Sequence, residues 1–115
     1  MHTVVDSDFG LEVDDASENQ VVIVNFSASW CGPCKAMKPQ IEALEVVTPG
    51  VKFVYCDVDN APVQTERFGI MGVPAYIVLT NRKEHSRFSG SGPHVIPGIQ
   101  NAISVLSEET QSTNC

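Results

Sequence analysis

The sequence predicts an α/β domain: one mixed sheet of three parallel strands plus an antiparallel hairpin, with helices on both faces. Three observations carry this. Apolar, β-branched runs alternate with helix-period segments through the first two thirds of the chain, which calls for parallel strands joined by crossover helices. Two further strand-like runs, "AYIVLT" and "HSRFSG", stand close together around a polar "NRKE", as in a hairpin. The chain has 115 residues, enough for one core and too few for two.

The elements follow in order. "HTVV" is a short β-like run, and Asp6 or Ser7 is expected to cap a short helix through "FGLEVDDA". "VVIVNFS" is nearly continuous in apolar character, as a strand buried on both faces requires. From Gly32 or Pro33 the pattern turns helical: Met37, Ile41, Leu44 and Val47 form one apolar stripe, and Pro39 inside it is expected to kink the helix. "TPG" ends that helix, and "VKFVYCDV" is a second buried strand. "NAPVQTERFG" reads as a short helix with Asn60 as cap, Pro62 in the first turn and Gly69 as stop. The hairpin comes next. "PGIQNAISVLSEE" is the last helix, with Ile99, Ile103 and Leu106 on one face. Residues 1–107 are read as one domain, and 108–115 as a polar tail expected to be mobile.

Composition narrows the function. The formal net charge of −7 argues against nucleic acid, which needs a basic face, and against anionic membrane surfaces. No apolar run approaches bilayer length, and "MHTVVDSD" lacks the basic start and apolar stretch of a signal peptide. The expected location is the cytoplasm, and the expected state a monomer.

Chemistry concentrates in the cysteines. Cys31 and Cys34 stand three apart, while Cys56 and Cys115 stand alone. A secreted scaffold spreads paired cysteines along the chain; this spacing points to a local redox or metal pair. Zinc needs four ligands, and His2, His85 and His94 show no ligand spacing, so no metal is expected. Cys56 reads as a core residue and Cys115 as part of the tail. Cys31 follows a strand and begins a helix, where unsatisfied N–H groups and partial positive charge stabilise a thiolate. Cys34 lies almost one turn later, within bonding reach. Gly32 permits the tight backbone, and Pro33 suits a first turn because it has no N–H to waste. Such a pair carries two electrons: Cys31 attacks a disulfide, and Cys34 then attacks Cys31 and releases the reduced product. The plain alternative is two buried cysteines serving as small apolar residues; the agreement of strand, helix start, Gly and Pro weighs against it.

"FSASWCGPCKAMKP", followed by "DVDNAP", "GIMGVPAYIV" and "FSGS", resembles the thioredoxin family, nearest its eukaryotic cytosolic members. The link between C-x-x-C and thioredoxin is a general one. The resemblance implies the thioredoxin fold, with Cys31 as attacking cysteine and Cys34 as resolving cysteine. Trp30 matches the tryptophan that flanks the site and contacts partners. Lys35 completes the W-C-G-P-C-K motif with Gly32 and Pro33. Pro74 matches the cis-proline packed opposite the disulfide. Val73 is then expected to offer backbone groups to an extended substrate segment, with Gly72 and Gly90 lining the same groove. The resemblance also implies a protein-disulfide reductant with no bound cofactor, recharged from NADPH by thioredoxin reductase. Candidate clients are peroxiredoxins, methionine sulfoxide reductases and ribonucleotide reductase.

Three positions depart from the family pattern. Asn25 stands where the family has a buried aspartate, thought to act as a general base on the resolving cysteine, and it cannot accept that proton. Tyr55 stands where many bacterial members have a lysine, leaving no charge to balance. Arg82 follows Asn81 where an Asn-Gly turn is common, at some expected expense in turn stability.

Rival readings share the fold. Oxidases and isomerases usually carry histidine between the cysteines, which Pro33 opposes. A glutaredoxin-like enzyme needs a glutathione pocket. From a different class, a non-catalytic docking subunit would use the groove as a binding face, and the intact cysteine pair weighs against it.

Overall fold

The computed structural model describes the backbone of residues 1–113 and the side chains of residues 1–107. The elements are β1 (His2–Val4), α1 (Asp6–Phe9, continuing as a π-helical Gly10–Asp15 and a 3-10 turn Ala16–Glu18), β2 (Val22–Ser27), α2 (Gly32–Val46), β3 (Lys52–Asp57), α3 (Pro62–Arg67), β4 (Ala75–Thr80), β5 (Lys83–Ser89) and α4 (Val95–Thr113). The expected tail falls partly on α4 and otherwise, with Cys115, outside the described residues.

The five strands lie in the order β1-β3-β2-β4-β5. β1, β3 and β2 are parallel, and β4 and β5 run antiparallel to their neighbours. This is the mixed sheet the sequence predicts, with β2 at its centre. Both faces of β2 are covered, so all six of its residues are buried. Val22, Val24 and Phe26 point into one core layer with Phe9, Val13, Val54 and Phe68. Ile23 points into the other with Met37, Ile41, Tyr76, Val95 and Ile99. By the two-residue period of a strand, Asn25 shares the face of Ile23.

Helix ends correct two expectations. Neither Asp6 nor Ser7 caps α1: Val5 is the residue before the first turn, and its N–H donates to Asp8 Oδ1 at 2.7 Å. Asp6 instead accepts from the N–H groups of Val63 and Gln64 at 3.1 and 3.0 Å. It thereby takes the role expected of Asn60 at the start of α3, where Ala61 is the cap residue and offers no side-chain acceptor. The end of α3 follows the sequence. Gly69 is left-handed (φ +60°), its N–H donates to Glu66 O, and that of Ile70 donates to Thr65 O, both at 3.0 Å. That double bond pattern is a Schellman cap.

α2 runs without interruption through Pro39, forgoing the one hydrogen bond that proline cannot donate. α4 begins at Val95, two residues earlier than the sequence reading, with Pro97 in its first turn where a missing N–H costs nothing. Gly98 brings α4 close to the sheet: a Cβ there would lie 2.6 Å from the Phe88 ring.

The β4–β5 turn is tighter than expected, since Thr80 pairs directly with Lys83. Asn81 and Arg82 are both left-handed (φ 51° and 67°), an uncommon conformation for arginine. Contacts to the end of α1 hold it. Ser17 O accepts from Asn81 N–H at 2.8 Å, Ser17 Oγ accepts from Arg82 N–H at 2.7 Å, and the Arg82 guanidinium bonds Asp15 and Glu18. Arg82 thus ties the hairpin to α1, a role the sequence does not announce.

Candidate active site

The strand β2 delivers the chain to Ser27, a loop of four residues turns it, and α2 starts at Gly32. Cys31 is the N-cap of α2. Its Sγ accepts from the Cys34 N–H at 3.2 Å, satisfying one donor that the helix cannot. Pro33 in the first turn wastes no donor. Cys31 and Cys34 are joined as a disulfide, their Cα atoms 5.3 Å apart. Both are buried, at 4% and 5% exposure, against Ala28, Val58 and Val73. Cys31 Sγ lies 3.7 Å from the carbonyl oxygen of Val73.

Val73 and Pro74 are joined by a cis peptide bond and lead into β4. Gly72, Val73, Pro74 and Gly90 line one open cleft of about 430 Å³. Gly90 N–H donates to Pro74 O at 2.9 Å, holding the two sides of the cleft together. Trp30 lines an adjoining apolar hollow with Val58, Ile70, Met71 and Val73. Trp30 is 68% exposed and Met71 fully exposed, so this rim presents apolar surface to solvent. Val73 packs against the two cysteines, and Trp30, Gly72, Pro74 and Gly90 line the two clefts that Val73 also lines.

Lys35 lies just behind the pair, with its N–H on Cys31 O at 3.3 Å. Asn25 is buried on β2, in register with Tyr55 on β3 and Tyr76 on β4. Its Oδ1 has no hydrogen-bond partner.

Two contributions escape the sequence reading. Asp59, read there as part of a solvated capping run, accepts from the Trp30 indole N–H at 2.8 Å and is itself braced by Asp57, whose Oδ1 accepts the Asp59 N–H. The separation of 29 residues leaves no local pattern to find. Lys38 sits over the Tyr55 ring, its Nζ 5.8 Å from the centroid. Cys56 is buried, and burial pushes its thiol up to about 12, so it is an inert core residue as expected. Among the described residues no three His, Cys, Asp or Glu side chains group as metal ligands, and no helix is long and apolar enough to cross a membrane.

A family model described as thioredoxin matches residues 1–101. The chain belongs to the thioredoxin family. It is 38% identical to the thioredoxin of Chlamydia muridarum over 76 residues, which is 66% of this chain and 74% of that one. It is 37% identical to thioredoxin H2 of Arabidopsis thaliana over 73 residues, 64% of this chain but 55% of the longer relative. In three dimensions it is similar to a thioredoxin of Nicotiana alata, with a TM-score of 0.81 at 28% identity over 89% of this chain and 90% of that one. The thioredoxin of Fasciola hepatica gives 0.80 at 26% identity, over 90% and 97%. The thioredoxin family and the fold class read from the sequence are both borne out; nearness to the eukaryotic cytosolic members is not, since the relatives include bacterial and mitochondrial thioredoxins. Thioredoxins are thiol–disulfide oxidoreductases with a redox-active cysteine pair and need no bound cofactor, and the Cys31–Cys34 disulfide is that pair here. Family membership implies a reductase and oxidised client proteins as partners. Relatives include a mitochondrial thioredoxin of Saccharomyces cerevisiae, so membership does not fix a compartment.

Proposed function

We propose that this chain reduces protein disulfides, with Cys31 attacking and Cys34 resolving. The Cys31 thiolate bonds to one client sulfur and expels the other as a thiolate, which takes a proton from water. Cys34 loses its proton, bonds to Cys31 Sγ, and breaks the bond between Cys31 and the client; the second client sulfur leaves and is protonated. Two electrons pass to the client, and the Cys31–Cys34 disulfide remains.

The observation that carries this reading is the position of Cys31 Sγ. It caps a 15-residue helix, where its thiolate is stabilised, and it lies beside the carbonyl of Val73, a residue that lines the cleft. An extended client segment laid along Val73 and Pro74 gains main-chain hydrogen bonds as an added strand. Trp30, Gly72 and Gly90 bound that path, while Gly32, Pro33 and Lys35 shape the helix start and Asn25 lies behind it.

The disulfide is recharged by an NADPH-dependent thioredoxin reductase, so the chain works as an electron carrier. Clients are of the peroxiredoxin, methionine sulfoxide reductase and ribonucleotide reductase kinds. The working unit is one domain, a monomer in the cytoplasm, with the last helix running on past residue 107 to Thr113. Insulin reduction with NADPH and a thioredoxin reductase tests this. Turnover that needs both components supports it. Binding without turnover would make the chain a docking subunit, and dependence on glutathione would make it glutaredoxin-like.

A further inference from the structure

A second cleft of about 210 Å³, the rear cleft, shares no lining residue with the client cleft. Ser27, Ala28, Ser29, Cys34, Lys35, Lys38 and Tyr55 line it. Cys34 is the only one of the two cysteines that borders it. Lys38 follows Cys34 by four residues on α2, so the two share a helix face. Tyr55 approaches from β3, across from Asn25.

The resolving step needs a Cys34 thiolate in a place where burial raises a thiol's pKa. Asn25 is buried and uncharged, so it cannot take that proton or be balanced by a cation. A cation near Cys34 is one way to favour the thiolate, with water as the proton acceptor. Cys31 is bonded to Cys34, and the titratable groups that share the cleft with Cys34 are Lys35 and Lys38 from α2 and Tyr55 from β3; Glu42 lies one turn beyond Lys38 on α2, Asp57 ends β3 and Asp59 is in the loop that follows. No carboxylate lines the cleft. Asp57 and Asp59 are engaged with each other and with Trp30. Lys38 takes part in none of the ion pairs among the described residues, and its ammonium rests over the Tyr55 ring. A ring face holds a cation without neutralising it, as a carboxylate would.

We propose that Lys38 is a positioning residue for the resolving step: stacked on Tyr55, it keeps a positive charge at the mouth of the rear cleft and stabilises the Cys34 thiolate. Tyr55, which leaves the strand uncharged, is then the platform that places the charge from α2. The inference rests on the proposed order of attack by Cys31 and resolution by Cys34. The step balances as above: the Cys34 proton goes to water in the rear cleft, the Cys34–Cys31 bond forms, and the bond from Cys31 to the client breaks.

The test separates the two halves of the reaction. Mixed disulfide formation is measured in a Cys34→Ser background with and without Lys38→Gln, and resolution is followed by stopped flow against pH in proteins with both cysteines. Lys38→Gln should leave formation unchanged. It should move the midpoint of resolution to higher pH by about half to one unit, about a three- to tenfold slowing at neutral pH. At alkaline pH, where the thiolate is fully formed, the rates should converge. Lys38→Arg and Tyr55→Phe should keep the wild-type midpoint, since charge and ring survive. Tyr55→Leu should shift it the same way as Lys38→Gln, and added salt should shrink the difference between variant and wild type. An unmoved midpoint in Lys38→Gln, or slowing by one factor at every pH, would overturn the proposal while leaving the order of attack intact. Failure to form any mixed disulfide would instead strike the proposed order itself.

Discussion

Asn25 on β2 and Tyr76 on β4 stand directly opposite in the antiparallel ladder, and each carries a buried oxygen, Oδ1 and the phenol OH, without a hydrogen-bond partner. An amide tolerates this better than a carboxylate, whose charged form loses far more on leaving water. Asn25→Asp should therefore cost about 1–3 kcal/mol at neutral pH. The pH dependence follows from the sign of the shift. Burial raises the new carboxyl above its unfolded value of about 3.9, so the native state holds the proton more tightly. The variant should match wild type below that pH and lose stability as pH rises through the raised native pKa. Urea melts of both oxidised proteins across that range check it. A penalty independent of pH would point to packing.

Tyr76→Phe removes the second unpaired oxygen and keeps the ring in its layer. Tyr76 is fully buried, and burial pushes its phenol up to about 12. Because the hydroxyl contributes no protein hydrogen bond to lose, the variant should be at least as stable as wild type. Thermal melts decide the matter; a loss beyond about 1 kcal/mol would mean that the hydroxyl is satisfied in solution.

Cys56 and Tyr76 make the protein sensitive to alkali. Both native pKa values are raised, to about 12 each, from 9.0 and 10.0. The native state keeps these protons where the unfolded chain releases them. Their contribution to stability is whole below pH 9 and is lost as pH climbs towards 12. In the reduced protein at pH 8, alkylation should reach Cys31 and leave Cys56 untouched until denaturant is added. Peptide mapping after iodoacetamide gives the answer, and early labelling of Cys56 would contradict it.

Ser17 is a small residue with three jobs. Its Oγ donates to Asp14 O and accepts from Arg82 N–H, both at 2.7 Å, and its carbonyl holds Asn81 N–H. Ser17→Ala leaves a buried carbonyl and the N–H of a left-handed arginine short of partners. It should cost about 1–3 kcal/mol, and hydrogen exchange at Arg82 should rise more than at the sheet centre. Equal exchange at both would show that the turn holds without it.

The sheet was readable from the chain because β2 and β4 are buried on both faces and so carry nearly continuous apolar runs, with a shorter one in β3. The cysteine pair was readable because its parts lie within six residues of one another, Trp30 to Lys35. What the sequence hid was long-range. Asp6 capping α3, Asp59 fixing Trp30 and Arg82 gripping α1 each join residues far apart in the chain, and polar side chains carry no periodicity that names a distant partner. Reading Asp6 as a local cap was reasonable from its type and wrong in its target. Tyr55 was read as leaving no charge behind the site; only the crossing of α2 over β3 brings Lys38 onto its ring.

The most direct test of the account is trapping with single-cysteine variants. Cys34→Ser retains the sulfur at the N-cap of α2, beside the Val73 carbonyl, and lacks the one that closes the pair. Incubated with a mixture of oxidised client proteins and analysed by mass spectrometry, it should accumulate covalent mixed disulfides through Cys31, while Cys31→Ser should accumulate none. Equal trapping by both variants, or trapping through Cys34 alone, would contradict the assignment of attacking and resolving sulfurs.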